Sequence, residues 1–274
     1  MEAISLIKDA YYPHDFHAVP SVKTSIESEE TENVEEFGVL SNEPLLFTTF
    51  PYTKKLAGAG LGVGLDQMLD YVVNSELSTI YMTDVSPAVS TLSRSFLEIG
   101  RIHRFINKDD KDTYRMTPEK FCSYLDSENI GTTLAMLEPH FSDSEMEFLT
   151  KAFSERMQNH HTKESPPLRL FHYLSFKSRQ KEYRSWMSDP ETLERIFSLY
   201  ESGNITVVRG DLSGPTVLPA IAKQLKEQGT LLSLVYESNA RNYIEIDGNE
   251  ESLEHNCLWL VSSSAVTKAP ALAA

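Results

Sequence analysis

Cysteine is scarce in this chain. Cys122 and Cys257 are the only two in 274 residues, far apart and in no CxxC or zinc-finger spacing. That excludes a disulfide-stapled secreted scaffold and leaves a reduced protein with two buried thiols as the expectation. Long apolar runs are missing too, and no segment approaches the ~20 residues of a membrane-spanning helix. Met1 to Tyr12 already contains Glu2, Lys8 and Asp9, so it reads as no secretion signal, and a cytoplasmic location without a membrane partner is expected. Positive charge is in deficit as well: 25 Lys and Arg against 40 Asp and Glu give a net charge of −15. A field of that sign repels phosphate backbones and anionic lipid, which disfavours nucleic acid as a partner despite a small basic cluster at Arg179, Lys181 and Arg184.

Motifs are absent in an equally informative way. No GxxxxGK occurs, which excludes a P-loop, and there is no HExxH. Gly210-Asp211-Leu212-Ser213-Gly214 is not the GxSxG of a hydrolase elbow. The eight histidines include His14 and His17 at i, i+3 and the adjacent His160-His161, but no carboxylate or cysteine pattern completes a zinc set. No metal site is expected.

What is present is an ordinary globular composition, 41% hydrophobic and 24% charged. The stretch Glu27 to Glu36 is acidic and poor in large apolar residues, an exposed loop within an N-terminal segment spanning 1–49. From residue 50 strand-like and helix-like segments alternate. Ala57 to Val63 reads as a buried strand running into a turn. Leu65, Met68, Leu69, Val72 and Val73 lie on one helical face. Thr79 to Thr83 is a second strand, ending at Asp84, and Ser86-Pro87 opens a helix burying Val89, Leu92, Phe96 and Ile99.

Residues 101–187 read as a helical insertion, with Thr117-Pro118 and a capping box at Ser142 to Glu145 as helix starts. Alternation resumes over 188–262. Asp189-Pro190 caps a helix that stops at Gly203, then come a strand at Ile205 to Val208, a helix at Pro215 to Gln228, a strand at Leu231 to Tyr236 and another at Cys257 to Val261. Residues 263–274 form a flexible tail. Strands alternating with helices imply an α/β fold with a mostly parallel, doubly wound sheet.

Chemistry concentrates where strands end. Gly58-Ala59-Gly60-Leu61-Gly62-Val63-Gly64 places glycine at alternate positions between a strand and a helix. No frame gives the GxGxxG of a dinucleotide site, because Val63 and Leu65 occupy the positions that would need glycine. GxGxG fits twice. Such a loop brings a ligand close to the backbone and to the positive end of the helix that follows, although a purely structural turn reads the same way. Asp84, about twenty positions on, suits two ribose hydroxyls; capping the next helix is the competing role. Gly210-Asp211 ends the third strand, where a carboxylate can accept an adenine amine, or Asp211 can cap the helix at Pro215. Tyr236-Glu237-Ser238-Asn239 follows the fourth strand, where Ser238 and Asn239 can position an acceptor and Glu237 can act as a base, with ordinary turn chemistry as the alternative.

At these residues the sequence resembles class I S-adenosylmethionine-dependent methyltransferases: glycine loop, acidic residue after the second strand, Gly-Asp after the third. It resembles more closely an uncharacterised bacterial family that looks like a branch of that superfamily, through GLGVGLDQMLDYV, SWMSDPETLERIFSLYESGNITVVRGDLSGP and VYESNARNYI. The resemblance implies a Rossmann-like methyltransferase fold with the helical insertion between its second and third strands. It implies S-adenosylmethionine as cofactor, held at Gly60, Gly62, Gly64, Asp66, Gln67, Asp84 and Asp211, with Tyr236, Glu237, Ser238 and Asn239 facing the acceptor. Two features depart from the superfamily. Leu56-Ala57 stand where an acidic residue often precedes the glycine loop, and the insertion replaces a short connection. The acceptor, a small molecule or a protein, is not indicated. A non-catalytic interaction protein on the same fold, or a nucleotide-using transferase of other chemistry, remains an alternative.

Overall fold

A computed structural model of the chain describes residues 25–27, 54–126, 128–158, 185–212 and 214–236. It is an α/β protein built on a parallel sheet. In chain order the elements are β1 (Ser25–Glu27), β2 (Ala57–Val63), α1 (Leu65–Val73), β3 (Glu76–Asp84), α2 (Pro87–Ile106), α3 (Lys111–Tyr114), α4 (Pro118–Tyr124), α5 (Ile130–Leu137), α6 (Asp143–Gln158), α7 (Pro190–Glu201), β4 (Ile205–Arg209), α8 (Val217–Gln228) and β5 (Leu232–Tyr236). The strands lie in the order β1-β4-β3-β2-β5, and every pairing is parallel.

Caps set most helix boundaries. Ser86 Oγ accepts the Val89 amide (3.4 Å) and Thr117 Oγ1 the Lys120 amide (3.2 Å). Asp189 and Thr192 form a reciprocal box at the start of α7, and Ser142 and Glu145 exchange bonds ahead of α6. Gly229, left-handed at φ 63°, ends α8, where a residue without Cβ meets no steric penalty.

Alternation along the strands divides the core. Leu77, Ile80, Met82, Ile205 and Val207 pack against α1, α2 and α7 in a large cluster that also takes in the central helices through Phe121, Leu137, Leu149 and Phe153. Ala59, Leu61, Tyr81 and Val208 face the other way, onto α8.

Three expectations need adjusting. The acidic loop was expected to begin at Glu27, but Glu27 is the last residue of the strand β1, which pairs with β4. Helix α2 runs unbroken to Ile106, through the expected boundary at 100/101, and the helices beyond it share one core with the sheet. Cys122 is half-buried rather than enclosed, and burial pushes its thiol up to about 12, with Asp126 and Glu119 adding to the effect. The expected strand at 257–261, Cys257, the acidic stretch beyond Glu27, the histidine pairs His14/His17 and His160-His161 and the basic cluster at 179–184 lie outside the described residues.

Candidate functional site

In a parallel sheet all carboxyl ends share one edge, so the segments after β2, β3, β4 and β5 meet at a single rim. Backbone hydrogen bonds tie it together. The Gly64 amide donates to the Thr83 carbonyl (3.2 Å), and the Gly210 amide donates to the Asp84 carbonyl (3.0 Å). Thr83 Oγ1 donates to the Gly62 carbonyl (3.2 Å). Gly64, Asp84 and Gly210-Asp211, separated in sequence by up to about 150 positions, are thus linked neighbours, and Tyr236 ends β5 beside Gly62.

The glycine series is strand rather than loop. Gly60 and Gly62 lie within β2 on the face toward α1, where period-two glycines let the helix lie close. A Cβ at Gly60 would sit 3.0 Å from Leu77 Cδ1 and 3.3 Å from Met68 Cε; one at Gly62 would overlap Met68 and lie 3.1 Å from Tyr236 Cβ. The turn itself is reduced to Gly64, at φ 81° and ψ 158°, a region open essentially to glycine alone. Gly64 is also the N-cap of α1, and with no side chain it leaves that helix without a side-chain cap. Gln67, third residue of α1, is 5% exposed and its Oε1 would be 3.2 Å from a Cβ on Gly64. The Asp66 side chain lies outside the described residues.

Asp84 is half-buried at the end of β3. Its Oδ1 accepts the Ser86 amide (2.9 Å), and among the described residues the carboxylate makes no other hydrogen bond. Burial pushes its carboxyl up to about 6, against the opposing pull of the Ser86 amide. The capping role is therefore shared: Ser86 caps α2, and Asp84 fixes the bend that brings Ser86 there. Asp211 is half-buried and accepts the Gly214 amide through its carbonyl (3.2 Å). It does not cap the next helix, which starts at Val217 with Thr216 as its N-cap.

Tyr236 is half-buried, its ring 5.2 Å from that of Tyr71 on α1 at 56°. Tyr71 had no signal in the sequence beyond its place next to an apolar helical face. Arg209, level with Asp84 in the β3–β4 pairing, was likewise not anticipated. Glu237, Ser238 and Asn239 lie outside the described residues. Among the described residues no group of three or more His, Cys, Asp or Glu is arranged to hold a metal ion, and no helix is long and apolar enough to cross a membrane.

The rim therefore combines a carboxylate of raised pKa, an uncapped helix N-terminus and an aromatic pair. Such a set can accept hydrogen bonds from hydroxyls, donate them to an anion and pack against a flat group. No curated protein matches the chain. A family described as "Domain of unknown function (DUF7790)" matches residues 39–264, most of the chain, and the protein belongs to that family.

Proposed function

We propose that the rim binds S-adenosylmethionine and that the protein transfers its methyl group to an acceptor, as a methyltransferase-like member of the doubly wound α/β class with a helical insertion between the second and third strands. The observation that carries this reading is the strand order. Counted from the glycine strand β2, the run β4-β3-β2-β5 is third, second, first, fourth, the arrangement of a nucleotide-binding half whose ligands lie at the carboxyl ends of the strands where the order reverses. That point falls between β2 and β5, at Gly62, Gly64 and Tyr236.

The residues present fit an adenosyl group. Asp84, with one amide partner, has acceptor capacity for ribose hydroxyls. Asp211, at the end of β4, suits an exocyclic amine. The Tyr71–Tyr236 pair offers apolar area close by. When bound, S-adenosylmethionine supplies a methyl group already activated on a sulfonium. What remains for the protein is alignment and the exclusion of water, with a base where the acceptor must lose a proton. Gly64 and the start of α1 orient the ligand, Asp84 fixes its ribose, and the segment after Tyr236, where Glu237, Ser238 and Asn239 stand in sequence, is the place for the acceptor.

One observation favours a second reading, a non-catalytic protein that keeps the fold for interaction. The space left by Gly60 and Gly62 is filled by Met68 and Leu77, so those two glycines already have a packing role. Calorimetry with S-adenosylmethionine and S-adenosylhomocysteine at millimolar concentration separates the two. Saturable heat is expected for at least one ligand; none for either removes the methyltransferase reading and leaves the interaction protein.

A further inference from the structure

Glycine occupies three of the seven positions of β2, at Gly58, Gly60 and Gly62. A strand lacking those side chains has little of its own to fix its height against its neighbours. The rim nevertheless joins two strand ends that must stay level, because Gly64 follows β2 and Asp84 closes β3.

Thr83 supplies the fixing. It is level with Val63 in the β2–β3 register and grips β2 on both sides of that residue. Its Oγ1 donates to the Gly62 carbonyl (3.2 Å), and its own carbonyl accepts the Gly64 amide (3.2 Å). The residue is 1% exposed and its branched side chain is stiff, so the hydroxyl is held in one place. Asp84, the next residue, is anchored from other directions: its carbonyl accepts the Gly210 amide (3.0 Å) and Ser90 Oγ (3.5 Å). Thr83 thus ties the glycine turn to a frame made by β3, β4 and α2.

We propose that Thr83 is a positioning residue, whose hydroxyl fixes the Gly64 turn relative to the Asp84 carboxylate so that both meet one nucleoside. This rests on the nucleoside reading above and deepens it. Thr83 acts through its neighbours and not on the ligand. Without the hydroxyl, the Gly62 carbonyl loses a donor and the end of β2 can shift, so a ligand meets the turn or the carboxylate well, but not both together. Arg209 lies level with Asp84 on β4 and Asp211 follows β4; both are left in place by the substitutions below.

Calorimetry on the full chain with S-adenosylhomocysteine at pH 5 and pH 8 tests the proposal. Thr83→Val keeps the branched shape and removes the hydroxyl, whereas Thr83→Ser keeps the hydroxyl. Ser78→Ala is the control, since Ser78 Oγ donates to the Gly58 carbonyl (3.3 Å) at the far end of β2. Thermal melts check folding, and Thr83→Ala is the second variant without the hydroxyl should valine not fold. At pH 8 Thr83→Val is expected to bind about tenfold more weakly than wild type, the scale of one hydrogen bond to a charged group. At pH 5 Asp84, pushed up to about 6 by burial, is protonated, and the two should bind alike. The variant therefore loses the rise in affinity between the two pH values, while Thr83→Ser and Ser78→Ala retain it. Wild-type binding by Thr83→Val at pH 8, or a loss of equal size at both pH values, overturns the positioning role while the nucleoside reading stands. So does a loss as large in Thr83→Ser or in Ser78→Ala. Failure of the wild type to bind the ligand overturns both.

Discussion

Two acidic residues lie in or beside α2, and the protein treats them differently. Glu98, in the middle of the helix, is 4% exposed and fully engaged. Arg101 reaches it through Nη2 (2.5 Å) and Nε (2.8 Å), and the Tyr200 hydroxyl donates to its other oxygen (2.7 Å). One turn further, Arg104 pairs with Glu194 (3.0 Å) and Glu201 (3.1 Å). Asp84, just before the helix, keeps one amide and has no cation bonded to it among the described residues. The difference separates two uses of buried charge. The first network joins α2 to α7 and is complete within the protein. The second carboxylate has one amide partner and is pushed up by burial, so its charged form is held at a cost in stability.

The largest effect should come from breaking the complete network. Arg101→Met leaves Glu98 buried without its cation and is expected to cost about 3–5 kcal/mol in urea unfolding, whereas replacing Glu98 and Arg101 together by apolar residues should cost much less.

Asp84→Asn should act in the opposite direction. Its folded pKa of about 6 lies above the ordinary 3.8, so the stability contributed by the protonated form is complete below pH 3.8 and lost as pH rises through 6. The variant should therefore be more stable than wild type at pH 7, by up to about 3 kcal/mol, with the gain vanishing toward pH 4. His103 has the reverse slope. Burial pulls it down to about 4, aided by Lys120 and Arg104 and opposed by its bond to the Thr113 carbonyl. Its contribution is present above pH 6.5 and lost as pH falls toward 4. The two slopes oppose each other in the wild type, so Asp84→Asn should expose a clear rise of stability with pH. Tyr200→Phe, which takes one hydroxyl from Glu98 and leaves Arg101 in place, should cost about 1–2 kcal/mol by the same unfolding assay.

Local chemistry made much of this fold legible. Ser86, Thr117, Ser142, Asp189, Gly203 and Gly229 punctuate the helices where their side chains or their lack of Cβ predict. Parallel strands could be inferred because apolar runs alternate with helices.

What escaped was decided by tertiary contact. The three residues of β1 carry no pattern of their own and become strand by pairing with β4. Glycine at every second position also has the period of a strand face, and only the contacts of Met68 and Leu77 show that Gly60 and Gly62 make room for packing while Gly64 makes the turn. The Glu98–Arg101 pair had an i, i+3 spacing as its sole sequence signal, and nothing in that spacing tells a buried pair from an exposed one. At the rim, the residues expected to gather did so at Gly64, Asp84 and Asp211, because parallel topology sends all strand ends to one edge.

The central claim is that Asp84 is kept open for a ligand's hydroxyls, and the pH dependence of binding tests it most directly. Titration of S-adenosylhomocysteine into wild type and Asp84→Asn from pH 5 to 8 should show wild-type affinity rising about tenfold from pH 5 and levelling off above pH 6, as the carboxylate forms. The variant should bind weakly at every pH. Tight binding by Asp84→Asn, or a wild-type affinity that does not change with pH, would contradict the account.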